Sequence, residues 1–232
     1  MAIGASPGEA TVTANTQEAH WRQFILANTR LLCPPLVPEI RLHLAEESLP
    51  IWKKTEEELG EMNVPPPYWA FAWAGGQALA RYLLDNPSMV SGKRVLDLGS
   101  GSGLAAIAAK MAGATAVRAN DIDRMALVAV DLNAAANSVA IETSADDLLD
   151  TGGASFGVVL AGDLFYERPL ADRMLRFLAS ALQGGADVLV GDPQRNYFPK
   201  DRFALAAEYR VPVTRELEDT EIKRAAAWRF TG

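Results

Sequence analysis

Hydrophobic and polar positions in the middle of the chain follow two alternating periods. Short apolar runs bounded by glycine or charged residues predict buried strands, at residues 93–98, 115–121, 139–144, 155–163 and 186–192. Between them, apolar residues recur at helical spacing and predict helices, at residues 103–112, 123–138 and 170–182. Leu104, Ile107 and Met111 form one face of the first helix. This succession predicts an α/β fold with a doubly wound, mainly parallel sheet.

The flanking segments extend this regular core in both directions. Residues 16–30 and 73–85 have helical patterns, and residues 39–45 alternate like a strand. Near the end of the chain, residues 208–217 and 224–232 look like two strands joined by a short charged segment. That arrangement predicts an antiparallel hairpin.

No repeat, low-complexity linker or break in composition divides the chain. Residues 1–14 lack the basic start and long apolar core of a secretory signal, so we expect a flexible tail there. Residues 15–232 then form a single domain. In it, residues 15–90 are an N-terminal extension of helix and strand that packs on the sheet, and residues 91–232 are the cofactor-binding core.

Composition restricts the classes of function. The chain has 232 residues, of which 49% are hydrophobic, and its net charge of -7 disfavours electrostatic binding to nucleic acid. Cys33 is the one cysteine, and with only His20 and His43 beside it we expect no metal site and no Ser-His-Asp triad. No apolar run reaches the roughly 20 residues that a membrane helix needs. We expect a cytoplasmic monomer that has no contact with a membrane.

A turn with three glycines follows the first strand of the core, in "VLDLGSGSGLAAIAAK" at residues 95–110. A dinucleotide fingerprint would need its third glycine at position 104, which is leucine, and the Lys-Ser/Thr of a triphosphate loop is absent. Asp121, just past the second strand, stands where two ribose hydroxyls would be bound. These features indicate a nucleoside ligand; the alternative is a tight turn without a ligand.

The same residues resemble the seven-strand, class I methyltransferases that use S-adenosylmethionine. "VLDLGSGSG" is similar to their first motif, "ANDID" to their acidic second motif, and the C-terminal hairpin to their reversed last strand. The resemblance implies a Rossmann-like sheet of seven strands whose C-terminal strand is antiparallel. It implies S-adenosylmethionine as the cofactor, with its amino group at Asp97, its ribose at Asp121 and its adenine at Asp146 or Asp147. The implied cofactor-binding residues are Asp97, Gly99, Ser100, Gly101, Gly103, Asp121, Ile122, Asp147, Gly76 and Gln77.

The fourth strand of the core indicates the substrate class. Base methyltransferases carry an Asn/Asp-Pro-Pro-aromatic box there, whereas this chain has "GDLFYE" at 162–167. Asp163 and Tyr166 resemble the Asp-x-x-Tyr signature of a group of protein lysine methyltransferases. Residues 66–87, "PPYWAFAWAGGQALARYLLDNP", and residues 191–199, "GDPQRNYFP", resemble the electron transfer flavoprotein β subunit lysine methyltransferases within that group.

The resemblance implies a protein-lysine N-methyltransferase that acts on the β subunit of electron transfer flavoprotein. Asp163 would accept hydrogen bonds from the substrate amine, and Tyr166 and Trp73 would enclose the aliphatic part of the lysine. Trp69 and Phe71 are expected to pack in the core. The alternatives are a methyltransferase of small amines or heterocycles, a methyltransferase of another protein such as a ribosomal protein, and a non-catalytic cofactor-binding protein.

Overall fold

The computed structural model describes residues 7–45, 66–150, 155–213 and 221–232, with side chains from residue 16 onward. Its strands, in chain order, are β1 (Arg30–Leu32), β2 (Leu42–Leu44), β3 (Arg94–Leu98), β4 (Ala116–Asn120), β5 (Glu142–Ser144), β6 (Val158–Gly162), β7 (Asp187–Asp192), β8 (Phe203–Pro212) and β9 (Ile222–Phe230). Its α-helices are α1 (Pro7–Asn28), α2 (Ala74–Asp85), α3 (Leu104–Met111), α4 (Arg124–Ala136) and α5 (Arg168–Gln183). Short 3-10 turns lie at Tyr68–Ala70, Pro87–Met89, Leu148–Asp150 and Lys200–Arg202.

In the described part of the chain, the main sheet has seven strands in the order β5-β4-β3-β6-β7-β9-β8. Strands β3 to β7 are parallel to one another, and β9 is antiparallel to both β7 and β8. The predicted doubly wound sheet with an antiparallel C-terminal strand is therefore confirmed. The chain builds one half of the sheet outward from β3 through β4 and β5, and then returns to the other side of β3 with β6. The carboxyl ends of β3 and β6 thus flank the point at which the winding reverses.

Helices cover both faces of the sheet, and the strand sequences reflect this. In β3, Val95 packs on the side of α2 and α3, whereas Leu96 packs on the side of α5. In β6, Val158 and Val159 divide between the same two layers. Because each residue of such a strand is buried whichever way it points, parallel strands have continuous apolar runs.

The upstream elements pack against helices at one end of the sheet. Strands β1 and β2 form a separate antiparallel pair, and Leu42 joins the apolar layer that contains α2 and α3. Helix α1 packs on α4, where Ile25 is buried beside Met125 and Ala129. This packing holds the segment before α2 over the carboxyl ends of the strands.

Several predicted boundaries were wrong. Helix α1 begins at Pro7, before the predicted residue 16; proline suits a first helical turn because its missing N–H has no partner there. Strand β5 is limited to Glu142–Ser144, since the Val139 N–H still bonds to the end of α4. Strand β8 begins at Phe203, before the predicted residue 208. Residues 1–6 and 214–217 of the predicted elements lie outside the described residues.

Candidate active site

A cavity of about 450 Å³ opens at the carboxyl ends of β3, β4 and β6. Its volume is within the range of roughly 300–1,000 Å³ that is usual for small-ligand sites. Residues 66–73 and the start of α2 cover it on the side away from the strands. The predicted site residues that line the cavity are Trp73, Gly76, Asp97, Gly99, Ser100, Gly101, Asp121, Ile122, Asp147, Asp163 and Tyr166.

The glycine-rich turn has the geometry that its sequence predicts. Gly99 and Gly101 have φ angles of +60° and +50°, in the left-handed region that favours glycine. A Cβ on Gly99 would also lie 2.7 Å from the side chain of Leu164. The turn therefore brings bare backbone to the cavity wall, as a site for a flat or extended ligand requires.

Two carboxylates beside this turn, the buried Asp97 and the half-buried Asp121, have no cationic partner in any described contact. Asp121 accepts hydrogen bonds from the Gly101 and Asp123 N–H groups at 2.9 and 3.0 Å, and Asp97 accepts one from the Ala106 N–H at 3.0 Å. Burial raises the pKa of Asp121, and burial together with the Asp121 charge raises the pKa of Asp97 to about 7. Burial likewise raises the pKa of Asp123 to about 6. This part of the cavity is suited to a ligand with hydroxyl groups and positive charge.

Of the two residues that the sequence predicts for the adenine, only Asp147 is among those that line the cavity. Asp147 lines the cavity and forms an ion pair with Arg173 at 2.9 Å, and this hydrogen-bonded pair lowers the pKa of Asp147. Asp146 is not among the lining residues, and its carboxylate accepts a hydrogen bond from the Ser144 hydroxyl at 2.8 Å. The place of Asp147 in the cavity wall therefore favours it over Asp146 as the candidate to lie near the adenine.

Asp163 lies at the end of β6 in a conformation that is uncommon for a residue with a side chain. Its φ is +56°, its side chain is 7% exposed, and its N–H donates to the Gly191 carbonyl at 2.8 Å. One carboxylate oxygen, Oδ2, accepts the Gly76 N–H at 2.9 Å; the other, Oδ1, accepts Nε and Nη2 of Arg195 at 3.1 and 2.8 Å. Left-handed backbone outside glycine concentrates at functional sites, where surrounding contacts hold it.

Gly75 and Gly76, in the first turn of α2, have different structural roles. A Cβ on Gly75 would collide with the Gly191 carbonyl and lie 2.5 Å from Oδ2 of Asp163, so only glycine lets the helix approach the sheet this closely. A Cβ on Gly76 would meet nothing within 4 Å. Gly76 instead contributes its N–H to Asp163 and part of the cavity wall.

Packing of the intervening residues explains the Asp-x-x-Tyr spacing. Leu164 covers Gly99, and Phe165 is fully buried with its ring centroid 5.4 Å from that of Phe198. With these two side chains fixed, Asp163 and Tyr166 both reach the cavity. Burial raises the pKa of Tyr166 to about 12, so its hydroxyl stays neutral in the physiological range.

Aromatic rings surround Asp163 at the mouth of the cavity. The Tyr68 ring lies 5.8 Å from that of Tyr166 and 6.0 Å from that of Trp73, measured between centroids. The Trp73 indole N–H donates to the Tyr68 carbonyl at 2.9 Å, and the Arg195 guanidinium lies 5.5 Å from the Trp73 ring centroid. The slot thus combines one carboxylate with aromatic faces, which is an environment that attracts a cation or holds its apolar stem.

Two predicted cofactor residues do not line the cavity. Gln77 is 2% exposed; its amide accepts the Leu36 N–H at 3.2 Å and donates to the Ala72 carbonyl at 2.7 Å. It therefore secures the covering segment. Gly103, at φ +78°, begins α3 and faces Val130, which a Cβ would approach to 3.1 Å. Glycine is required at this position so that the start of α3 can pack against Val130 of α4.

Tyr68, Arg173 and Arg195 are among the side chains that line the cavity without having been predicted from the sequence. Their contacts cross between elements distant in the chain, such as the pair of Arg195 with Asp163, so no local spacing indicates them. Trp69 and Phe71, expected as core residues, are buried against α4 and also contribute to the cavity wall.

Two other kinds of site are absent from the described ranges. These residues contain no group of three or more His, Cys, Asp or Glu side chains placed to hold a metal ion. Nor do they include a helix with the length and apolar character needed to cross a bilayer.

Comparison with known proteins agrees with the motifs. The profile of the ribosomal protein L11 methyltransferase (PrmA) family matches residues 78–165. The electron transfer flavoprotein β subunit lysine methyltransferase of Danio rerio is 36% identical over 226 residues, covering 94% of this chain and 86% of that protein. The Mus musculus protein of the same name is 40% identical over 201 residues, covering 84% and 78%.

A solved structure supports the fold. Magnesium protoporphyrin IX methyltransferase from Synechocystis PCC 6803, with bound SAM, has a TM-score of 0.50 at 15% identity, covering 67% of this chain and 77% of that one. The predicted resemblance is confirmed, because these two relatives are 36% and 40% identical over 94% and 84% of this chain. This chain belongs to the family of the electron transfer flavoprotein β subunit lysine methyltransferases.

Proposed function

We propose that this protein transfers methyl groups from S-adenosylmethionine to lysine side chains of the β subunit of electron transfer flavoprotein. The observation that carries the proposal is the slot formed by Asp163 and the rings of Tyr166 and Trp73, at one end of a nucleoside-sized cavity. This slot belongs to a chain whose relatives at 36–40% identity are named for that activity.

The residues of the cavity fit S-adenosylmethionine. Its amino group and sulfonium are cationic, and the carboxylates of Asp97, which is buried, and Asp121, which is half-buried, lack a cationic partner in the described contacts. The Ser100 hydroxyl is also buried without a hydrogen-bond partner among the described residues. We assign the amino group to Asp97, the ribose to Asp121 and the adenine to the side of the cavity that contains Asp147.

When bound, S-adenosylmethionine supplies a methyl group on a sulfonium sulfur, which departs as a neutral thioether. The chain has to align a nitrogen lone pair with that methyl carbon and keep water away. A lysine ammonium, with a reference pKa near 10.4, has no lone pair, so one proton must leave before transfer. Asp163 accepts a hydrogen bond from the amine and fixes its direction. The neutral hydroxyl of Tyr166 and the Trp73 ring border the stem of the lysine.

Recombinant β subunit and labelled S-adenosylmethionine test the proposal directly. We expect purified enzyme to add methyl groups to lysine residues of the folded β subunit, as read by mass spectrometry of the peptides. Asp163→Asn is the matched control, because it keeps the size of the side chain and removes its charge. This variant should bind cofactor but transfer little.

Parallel reactions separate the alternatives. Free lysine and nicotinamide-like heterocycles test the small-amine alternative, and ribosomal protein L11 tests the protein named by the matching profile. Absence of methylation on the β subunit, together with strong labelling of one of these, would contradict the proposed substrate. Binding of S-adenosylmethionine without transfer to any of them would favour a non-catalytic protein.

A further inference from the structure

The slot around Asp163 already contains a cation that belongs to this chain. Nε and Nη2 of Arg195 donate to Oδ1 of Asp163 at 3.1 and 2.8 Å, and the guanidinium lies 5.5 Å from the Trp73 ring centroid. Asp163 and Arg195 are 7% and 21% exposed at their side chains, so solvent screens this pair only weakly. A carboxylate and an aromatic ring, the two groups expected to bind a substrate ammonium, are therefore both in contact with Arg195.

Backbone contacts hold Arg195 in this place. Its own N–H donates to Oδ1 of Asp192 at 2.7 Å, at the end of β7. Two residues further on, the Tyr197 N–H donates to the Phe165 carbonyl at 3.2 Å, which joins the loop after β7 to the Asp-x-x-Tyr turn. The backbone of Arg195 is therefore fixed by the two loops that build the slot, and its guanidinium is held by Asp163 and lies against the Trp73 ring.

The pairing limits what Asp163 can offer to a substrate. A carboxylate has about four acceptor positions, and this one already accepts two N–H groups from Arg195 and one from Gly76. At most one position remains. An ammonium has three N–H donors and no lone pair, whereas a neutral amine needs only one acceptor to direct its lone pair elsewhere. In addition, the positive charge of Arg195 offsets the negative charge of Asp163 that would otherwise favour an ammonium.

We propose that Arg195 is a positioning residue that neutralises and orients Asp163, so that the site selects the neutral amine of the substrate lysine. This inference rests on the proposed lysine methyltransferase function. Arg195 does not exchange a proton with the substrate; it acts through Asp163. The proton of the ammonium leaves to solvent before the amine is aligned, and the nitrogen lone pair then forms the bond to the methyl carbon as the carbon–sulfur bond breaks.

Other titratable and charged groups face this region. Asp192, with one carboxylate oxygen that lacks a partner among the described residues, lies under the Arg195 backbone; burial and then the Asp163 charge raise its pKa to about 7. Tyr166 and Lys223 line a smaller neighbouring cavity together with Arg195. The Tyr68 ring lies 5.8 Å from that of Tyr166, and burial and then Tyr68 raise the pKa of Tyr166. Because the pKa of Asp192 lies near neutral pH, Asp192 needs its own control.

The test is the pH dependence of single-turnover methyl transfer to the β subunit by wild type, Arg195→Gln and Arg195→Lys. With Arg195→Gln, the unpaired Asp163 charge should favour the ammonium, so the alkaline rise of the rate should move to higher pH. If the midpoint of the rise moves up by one pH unit, the rate near pH 7 falls by about tenfold, and the plateau rate at high pH stays nearly unchanged. Arg195→Lys retains the charge and should keep the rise close to its wild-type position.

Two further measurements identify the substrate amine as the group that titrates. Asp192→Asn should leave the position of the rise unchanged if the substrate amine sets it. A β subunit whose target lysine is replaced by the less basic aminoethylcysteine should restore much of the lost rate of Arg195→Gln near neutral pH. Cofactor affinity and circular dichroism of each variant report whether it is folded.

The outcomes separate the two proposals. Wild-type methylation of the β subunit tests the proposed function without any variant. If wild type is active but folded Arg195→Gln loses the same fraction of rate at every pH, or loses none, the role assigned to Arg195 is overturned. A rise that moves with Asp192→Asn and not with Arg195→Gln overturns it as well.

Discussion

Asp97 should make the affinity for the cofactor decrease steeply as the pH is lowered below neutrality. Burial and the nearby Asp121 charge raise the pKa of Asp97 to about 7, while the cationic amino group of the bound cofactor would stabilise the ionised form. Above that pKa the carboxylate is ready to bind. Below it, binding must first remove a proton, so the dissociation constant should rise about tenfold for each pH unit, or about 1.4 kcal/mol. At pH 6, formation of the complex should release close to one proton.

Calorimetric titration of S-adenosylmethionine between pH 5 and pH 9, in buffers of different ionisation enthalpy, measures both quantities. Asp97→Asn is the matched control: it should bind more weakly above neutrality and lose most of the pH dependence. Asp123, with a pKa of about 6 from burial, would add to the slope only at the acidic end. A wild-type dissociation constant that is constant from pH 5 to pH 9, without proton release, would refute the assignment of Asp97 to the amino group.

The same linkage has a consequence for stability. The native state binds a proton at Asp97 between the ordinary pKa of 3.8 and about 7, where the unfolded chain does not. The contribution of Asp97 to stability is therefore fully present below the lower value and is lost as pH rises towards the upper one. The difference between these pKa values corresponds to about 4 kcal/mol, as an upper estimate. Chemical denaturation of the ligand-free protein should thus show Asp97→Asn to be more stable than wild type at pH 8.

Other substitutions test single contacts. Asp121→Ala should weaken S-adenosylmethionine binding, since each hydrogen bond to a charged acceptor is worth about 1.5–3 kcal/mol; an unchanged dissociation constant in a folded variant would remove Asp121 from the ribose site. Asp163→Ala should keep cofactor binding and lose most methyl transfer, and wild-type turnover would refute its place at the amine. Gly75→Ala should destabilise the protein by about 1–3 kcal/mol because its Cβ meets the Gly191 carbonyl, whereas Gly76→Ala has open space; equal melting temperatures for the two would contradict the close approach of α2.

Local patterns predicted the sheet because parallel strands and their helices have strong periodic signals. The apolar run at β3 and the helical spacing after the glycine turn are examples of these signals. Errors in the main sheet and its helices were confined to element ends, whereas strand β1 was not predicted. Met111 illustrates the limit: its spacing placed it on the buried face of α3, but it is 43% exposed because the helix ends there and passes beyond the packed layer. The helical start of α1 at Pro7 was missed because its pattern is weak in apolar residues.

The sequence by itself determined the residues that each parallel strand delivers to the ligand edge. Asp97 lies in the last two residues of β3, and Gly99, Asp121 and Asp163 directly follow the ends of β3, β4 and β6. The carboxyl ends of parallel strands share one edge of the sheet, so the convergence of these residues is a consequence of topology. Only the tertiary structure decided which side chains meet across elements. In the tertiary structure Gln77 does not line the cavity, and Arg195 pairs with Asp163. These contacts depend on the relative placement of α2, β6 and the loop after β7, which no local spacing in the sequence encodes.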